Sequence, residues 1–234
     1  MEIHKPKPIH SWKELVSEIG VIVIGILIAL GLEQAIEGYH QREKVEAMRQ
    51  ALKDEMKVDL SVAMEFAETA DCANIQLAAI RSALETGDRE RAKALSATTL
   101  LPSRFWPDDA MAALTSSQVS DSLGRQELLR YAGFYRAVRL ERQMGQQLDE
   151  LLSDLRNASI KGEGASPDMT RELLGKTARM QGLIDEMVGY AGFLRDWAKT
   201  NFHLVLTEKE YASRLQRADA VAQCKAGAAA LRGS

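Results

Sequence analysis

Between Ile19 and Leu32 the chain reads IGVIVIGILIALGL, fourteen residues without a charge. No other stretch is so apolar, and water cannot accommodate it. It must be sealed in a core, cross a bilayer, or be removed as a signal peptide. At ~1.5 Å per residue it covers roughly 21 Å, less than the ~30 Å of bilayer hydrocarbon. Its surroundings lengthen it. Leu15 and Val16 precede it and Ala35 and Ile36 follow. Glu18 and Glu33 fall where a carboxylate reaches headgroup water, and Trp12 and Tyr39 stand where interfacial aromatics belong. Read as a signal peptide, Lys5, Lys7 and Lys13 form the basic region, but the cleavage site has to be Ala29-Leu30-Gly31, without a polar region before it. Residues 11–38 are therefore expected to form one transmembrane helix, entered through a capping box of Ser11 and Glu14.

Lysines and arginines flank both ends of this segment, so charge alone does not orient it. Short basic tails stay inside while long domains translocate largely regardless of charge. That places residues 1–10 in the cytoplasm and the domain after residue 38 on the opposite side of the membrane. Gly25 and Ala29, four residues apart, share one helix face that permits close packing of two spans.

The rest reads as helix. Hydrophobic types make up 46% of the 234 residues, enough for one core and too few for several spans, while aromatics are only 6%. Val45, Met48, Leu52, Met56, Leu60 and Ala63 begin a stripe at steps of three and four, continuing to Leu84 in a coiled-coil-like pattern. It predicts that the anchor helix runs on to about Glu85, with a kink near Gly38. Gly87-Asp88 ends it, and Asp88 caps a short helix to about Ala97. Pro107-Asp108-Asp109 opens another short helix. Long helices are predicted over residues 122–159 and, after the flexible KGEGAS segment, from Ser166-Pro167 over 167–206. Thr207 with Glu210 forms a second capping box, for a C-terminal helix over 208–230. Amphipathic helices of this kind need partners, so the predicted fold class is all-α: a transmembrane helix continuing into an antiparallel bundle of three long helices and a C-terminal helix, with the bundle domain over 39–230.

The bundle makes a prediction about Cys72 and Cys224. If the first helix climbs to Glu85 and the last starts at the same tip and returns, the thiols lie ~20 Å and ~24 Å below that tip. A disulfide is then in reach, closing a long loop in an oxidising compartment, although two separate thiols fit the sequence too.

Chemistry-bearing patterns are sparse. Two similar segments occur, Tyr131-Ala-Gly-Phe-Tyr-Arg136 and Tyr190-Ala-Gly-Phe-Leu-Arg195. Tyr131, Arg136, Tyr190 and Arg195 could line an anion pocket; Ala-Gly could equally serve close helix packing with Tyr and Arg covering the seam. The four histidines lack metal-ligand spacing, and no phosphate loop, nucleophile elbow or CxxC is present. The net charge of −3 argues against nucleic acid as a partner. No catalytic residue, cofactor or metal site is expected.

His10-Ser-Trp-Lys-Glu14, then Gly25-Ile-Leu-Ile-Ala-Leu30 and Glu33-Gln-Ala35, resemble the start of an uncharacterised family of proteobacterial single-pass membrane proteins. Trp106 and the Tyr131–Arg136 segment resemble that family's middle region, though Ser117 stands where a glycine is expected. The resemblance covers about half the chain and implies an envelope protein with a helical extracytoplasmic domain; it implies no activity. Residues and resemblance together lead to the expectation of a non-enzymatic scaffold or accessory subunit of a membrane complex. Its partners would be the bilayer and other membrane proteins or a second copy through the span. The alternative is a sensory or ligand-binding ectodomain using the Tyr/Arg pocket.

Overall fold

A computed structural model of the chain describes residues 12–97, 104–160 and 166–214, with 222, 224, 226–229 and 231 near the C-terminus. The expected cytoplasmic tail, the Ser11 cap, most of the KGEGAS segment and the stretch 215–221 of the expected last helix lie outside the described residues. Every regular element among them is helical: α1 (Trp12–Glu85), α2 (Arg89–Ala97), α3 (Asp109–Ser116), a 3₁₀ turn (Gln118–Ser122), α4 (Arg125–Ile160), α5 (Pro167–Phe202) and α6 (Glu208–Arg214). The chain divides into two compact units, Met1–Met48 and Arg49–Ser234. α1 contributes to both and is continuous through Gly38.

The predicted punctuation is in place. Gly87 (φ 74°) ends α1, and the Asp88 and Gly87 amides return to the carbonyls of Ala83 and Leu84 in a Schellman arrangement. Asp88 Oδ1 then accepts from the Arg91 amide, 3.1 Å. Ser166 caps α5 by accepting from the Met169 amide, with Pro167 at the first position. Thr207 and Glu210 cap reciprocally: the Glu210 amide donates to Thr207 Oγ1 (3.2 Å) and the Thr207 amide to Glu210 Oε2 (3.1 Å). α4 starts at Arg125 rather than Ser122, because the 3₁₀ turn ends there and Leu123 is extended.

In the second unit the fully buried stripe of α1 (Leu52, Met56, Leu60, Leu77, Ile80) packs in a core shared with Phe134, Tyr135 and Val138 of α4 and Met180, Ile184 and Leu194 of α5. Cross-element contacts set the direction of each leg. Gln76 to the Leu95 carbonyl, Glu65 to Arg104 and Glu55 to the Ala110 amide show residues 89–97 and 104–116 placed in descending order along α1. Arg49–Glu127 and the Tyr135 hydroxyl on the Leu52 carbonyl show α4 running parallel to α1. Asn74–Asp185 and Asp154–Lys176 are consistent with α5 descending beside both.

The short-helix segment is thus a full return leg, and this corrects the expected course of the C-terminal helix. α6 starts beside Lys57, which pairs with Glu210 at 3.1 Å, and Cys224 is bonded to Cys72, so these two contacts follow one another in the direction of α1 rather than against it. The return leg adds one reversal of direction, which puts the start of α6 at the opposite end of α1 from the one expected. The depths of the cysteines matched nonetheless, because 15 residues separate Lys57 from Cys72 and 14 separate Glu210 from Cys224.

Candidate functional site

The first unit presents one chemical feature. Its apolar residues are uncovered on every side of the helix, Val21 being 70% exposed and Leu27 62%. An 18-residue window here has mean hydropathy 2.6 and no burial, long and apolar enough to cross a membrane. Gly25 has nothing within 4 Å of where a Cβ would stand, so the Gly25/Ala29 face is open.

In the second unit the antiparallel register of α4 and α5 sets Arg130 and Gly133 against Trp197 and Tyr131 against Phe202, so the two Tyr/Arg segments are offset along the pair and do not make a four-residue pocket. Tyr131 is 1% exposed and its ring stacks on Phe202 with centroids 4.5 Å apart. Arg136 projects on the exposed surface and Tyr190 is half-buried. Arg195 is exposed and pairs with Asp196 at 3.4 Å. The Ala-Gly step of the first copy serves packing: the Trp197 indole lies over Gly133, 2.7 Å from where a Cβ would be, and its Nε1 donates to the Arg130 carbonyl, 3.1 Å. Gly192 in the second copy has open space instead.

Of the four residues, Arg195 borders a cleft of about 330 Å³. Leu60 and Met64 of α1 form one wall, and Leu204, Val205 and Leu206 another. The mouth carries Arg195, Asp196 and Lys199 of α5. This second wall exists because α5 ends in a left-handed residue, His203 (φ 52°, ψ 30°), whose amide returns to the Lys199 carbonyl, and the chain then extends across the helix end.

Buried carboxylates form the least expected feature. They lie where the return leg is fastened to α1 and α4. Glu65, with no exposure, takes a bidentate ion pair from Arg104, both bonds 2.8 Å. Phe66 stacks on Trp106 one residue along, centroids 6.0 Å apart. Arg142 of α4 donates to the Trp106 carbonyl and pairs with Asp108 at 3.0 Å. With Asp108 so engaged, Glu55 Oε2 caps α3 in its place, accepting from the Ala110 amide at 2.9 Å. Among these lies Asp59, fully buried, neither oxygen meeting a donor among the described residues. Burial pushes its pKa well up, the negative charges of Glu55 and Asp108 add to this, and Arg142 opposes it. Burial likewise pushes the Tyr135 hydroxyl up, with Glu55 beside it disfavouring the phenolate. On α4, Glu141 is fully buried with neither oxygen partnered among the described residues, and burial, then the charge of Glu186, raises its pKa to about 8. Glu141 is thus held largely as a neutral acid near pH 7, and burial pushes Asp59 in the same direction. Among the described residues no three His, Cys, Asp or Glu side chains are placed to hold a metal ion.

None of these acids is among the candidate site residues that the sequence suggests. A signal was available: Asp59 falls between Met56 and Ala63, and Glu141 between Val138 and Met144, at the stripe's own steps of three and four. Cys72 and Cys224 are joined in a disulfide, with Cα atoms 5.7 Å apart, closing a loop across 152 residues. Comparisons with protein-family models, curated proteins and solved structures found no match.

Proposed function

We propose that this chain is a non-enzymatic, membrane-anchored helical protein that acts through protein contacts, as a scaffold or accessory subunit of a membrane complex. The observation that carries the reading is the uncovered apolar segment of α1, uncharged from Ile19 to Leu32. Only a lipid or apolar protein environment covers such a surface without exposing it to water. Gly25 and Ala29 supply a face on which another span, of a partner or of a second copy, can approach closely. The disulfide favours an oxidising compartment for the bundle, hence a cytoplasmic N-terminus and a periplasmic domain at a bacterial inner membrane. This agrees with the resemblance to the proteobacterial single-pass family.

The test is copurification from cells in a mild detergent, with wild type beside a Gly25→Leu/Ala29→Leu variant. The reading expects a stoichiometric partner or a self-associated form that the variant loses. A monomer alone from both preparations contradicts it. The ligand-binding alternative is favoured by one observation, the Arg195/Lys199 cleft, which does not depend on what the anchor contacts.

A further inference from the structure

We propose that the cleft between α1 and the C-terminal end of α5 binds a small single-chain anionic amphiphile, an alkyl monocarboxylate, whose head lies between Arg195 and Lys199. Three walls are built for it. Leu60 and Met64 lie one turn apart on α1 and Arg195 and Lys199 one turn apart on α5, in a cleft that the extended Leu204–Leu206 segment closes. The apolar side is incompletely covered: Val205 is 61% exposed, so a hydrocarbon tail would remove from water a surface that this chain leaves wet.

The mouth selects the head. Lys199 has no hydrogen-bond or ion-pair partner for its side chain among the described residues, and Arg195 pairs with its exposed neighbour Asp196, a contact too solvated to hold it. Two cations against the one carboxylate of Asp196 leave the mouth net positive, and the guanidinium fork matches a carboxylate. Size selects the tail. A cleft of about 330 Å³ lies at the small end of ligand sites and has room for roughly ten water-sized groups. That suits one medium-length chain and excludes a two-chain lipid.

The experiment uses the full chain in lipid nanodiscs, a photoactivatable dodecanoate carrying a diazirine near the end of its tail, and peptide mapping by mass spectrometry. A probe with the carboxylate converted to a primary amide is run in parallel. The expected result is labelling within 60–64 and 204–206, reduced about tenfold by Arg195→Gln with Lys199→Gln and by the amide probe. Both substituted residues are exposed, and unchanged melting of the double variant shows that the loss is not one of folding. Labelling confined to residues 15–38, no labelling, or cleft labelling indifferent to both changes overturns the proposal.

Discussion

At the scale of single residues, two glycines in similar segments have opposite meanings. Gly133 lies under the Trp197 indole, whereas nothing stands within 4 Å of Gly192. Alanine gains up to ~1 kcal/mol over glycine in a helix interior, but a Cβ forced against a packed ring costs ~1–3 kcal/mol. Gly192→Ala is expected to stabilise the bundle by about 0.5–1 kcal/mol and Gly133→Ala to destabilise it by about 1–2 kcal/mol in denaturant titrations. Glu141 makes a pH prediction. Its folded pKa of about 8 lies above the ordinary glutamate value, so the folded chain binds the additional proton across that interval. Stability is full below the interval and falls as pH rises through it. Asp59 acts with the same sign. Glu210, lowered to about 2 chiefly by the Thr207 amide and then by Lys57 and the Thr207 hydroxyl, acts oppositely: its contribution is lost only as pH falls towards that value. Unfolding measured near pH 5.5 and near pH 8.5 should show wild type weaker at the higher pH by on the order of 3 kcal/mol, with Glu141→Gln shallower in slope and more stable there.

At the scale of elements, the return leg between α1 and α4 decides the topology. Helix ends were legible from local chemistry: Gly87, Asp88, Ser166 and the Thr207/Glu210 pair each act within a few residues of themselves. The stripes of α1 and α5 were legible because their period of 3.6 is a local property as well. The leg over 89–116 has no such period. It is held by contacts distant in sequence, Arg104 on Glu65, Trp106 on Phe66 and the Ala110 amide on Glu55, which no window of sequence contains. For the same reason the direction of the C-terminal segment was not legible, although its cap and its cysteine were. The ion pair under this leg is the sensitive point. Arg104→Ala leaves the Glu65 carboxylate buried without its counter-ion, so a loss of about 3–5 kcal/mol is expected. Adding Glu65→Leu should restore part of it, read from the denaturation midpoints of the single and double variants.

At the scale of the whole molecule, two kinds of surface belong to one chain. The second unit buries its stripes and even several carboxylates, whereas the segment around Ile19–Leu32 is left uncovered. That contrast is the reason for reading the chain as a bundle fixed to a membrane by its own first helix, with the Gly25/Ala29 face available to a neighbour. The claim is tested most directly by alkaline carbonate extraction of membranes from cells making the full chain, followed by intact mass measurement. The account predicts that the chain stays in the pellet and that its mass includes residues 11–38. A chain released into the carbonate supernatant, or one whose mass shows that it begins after Gly31, would contradict it.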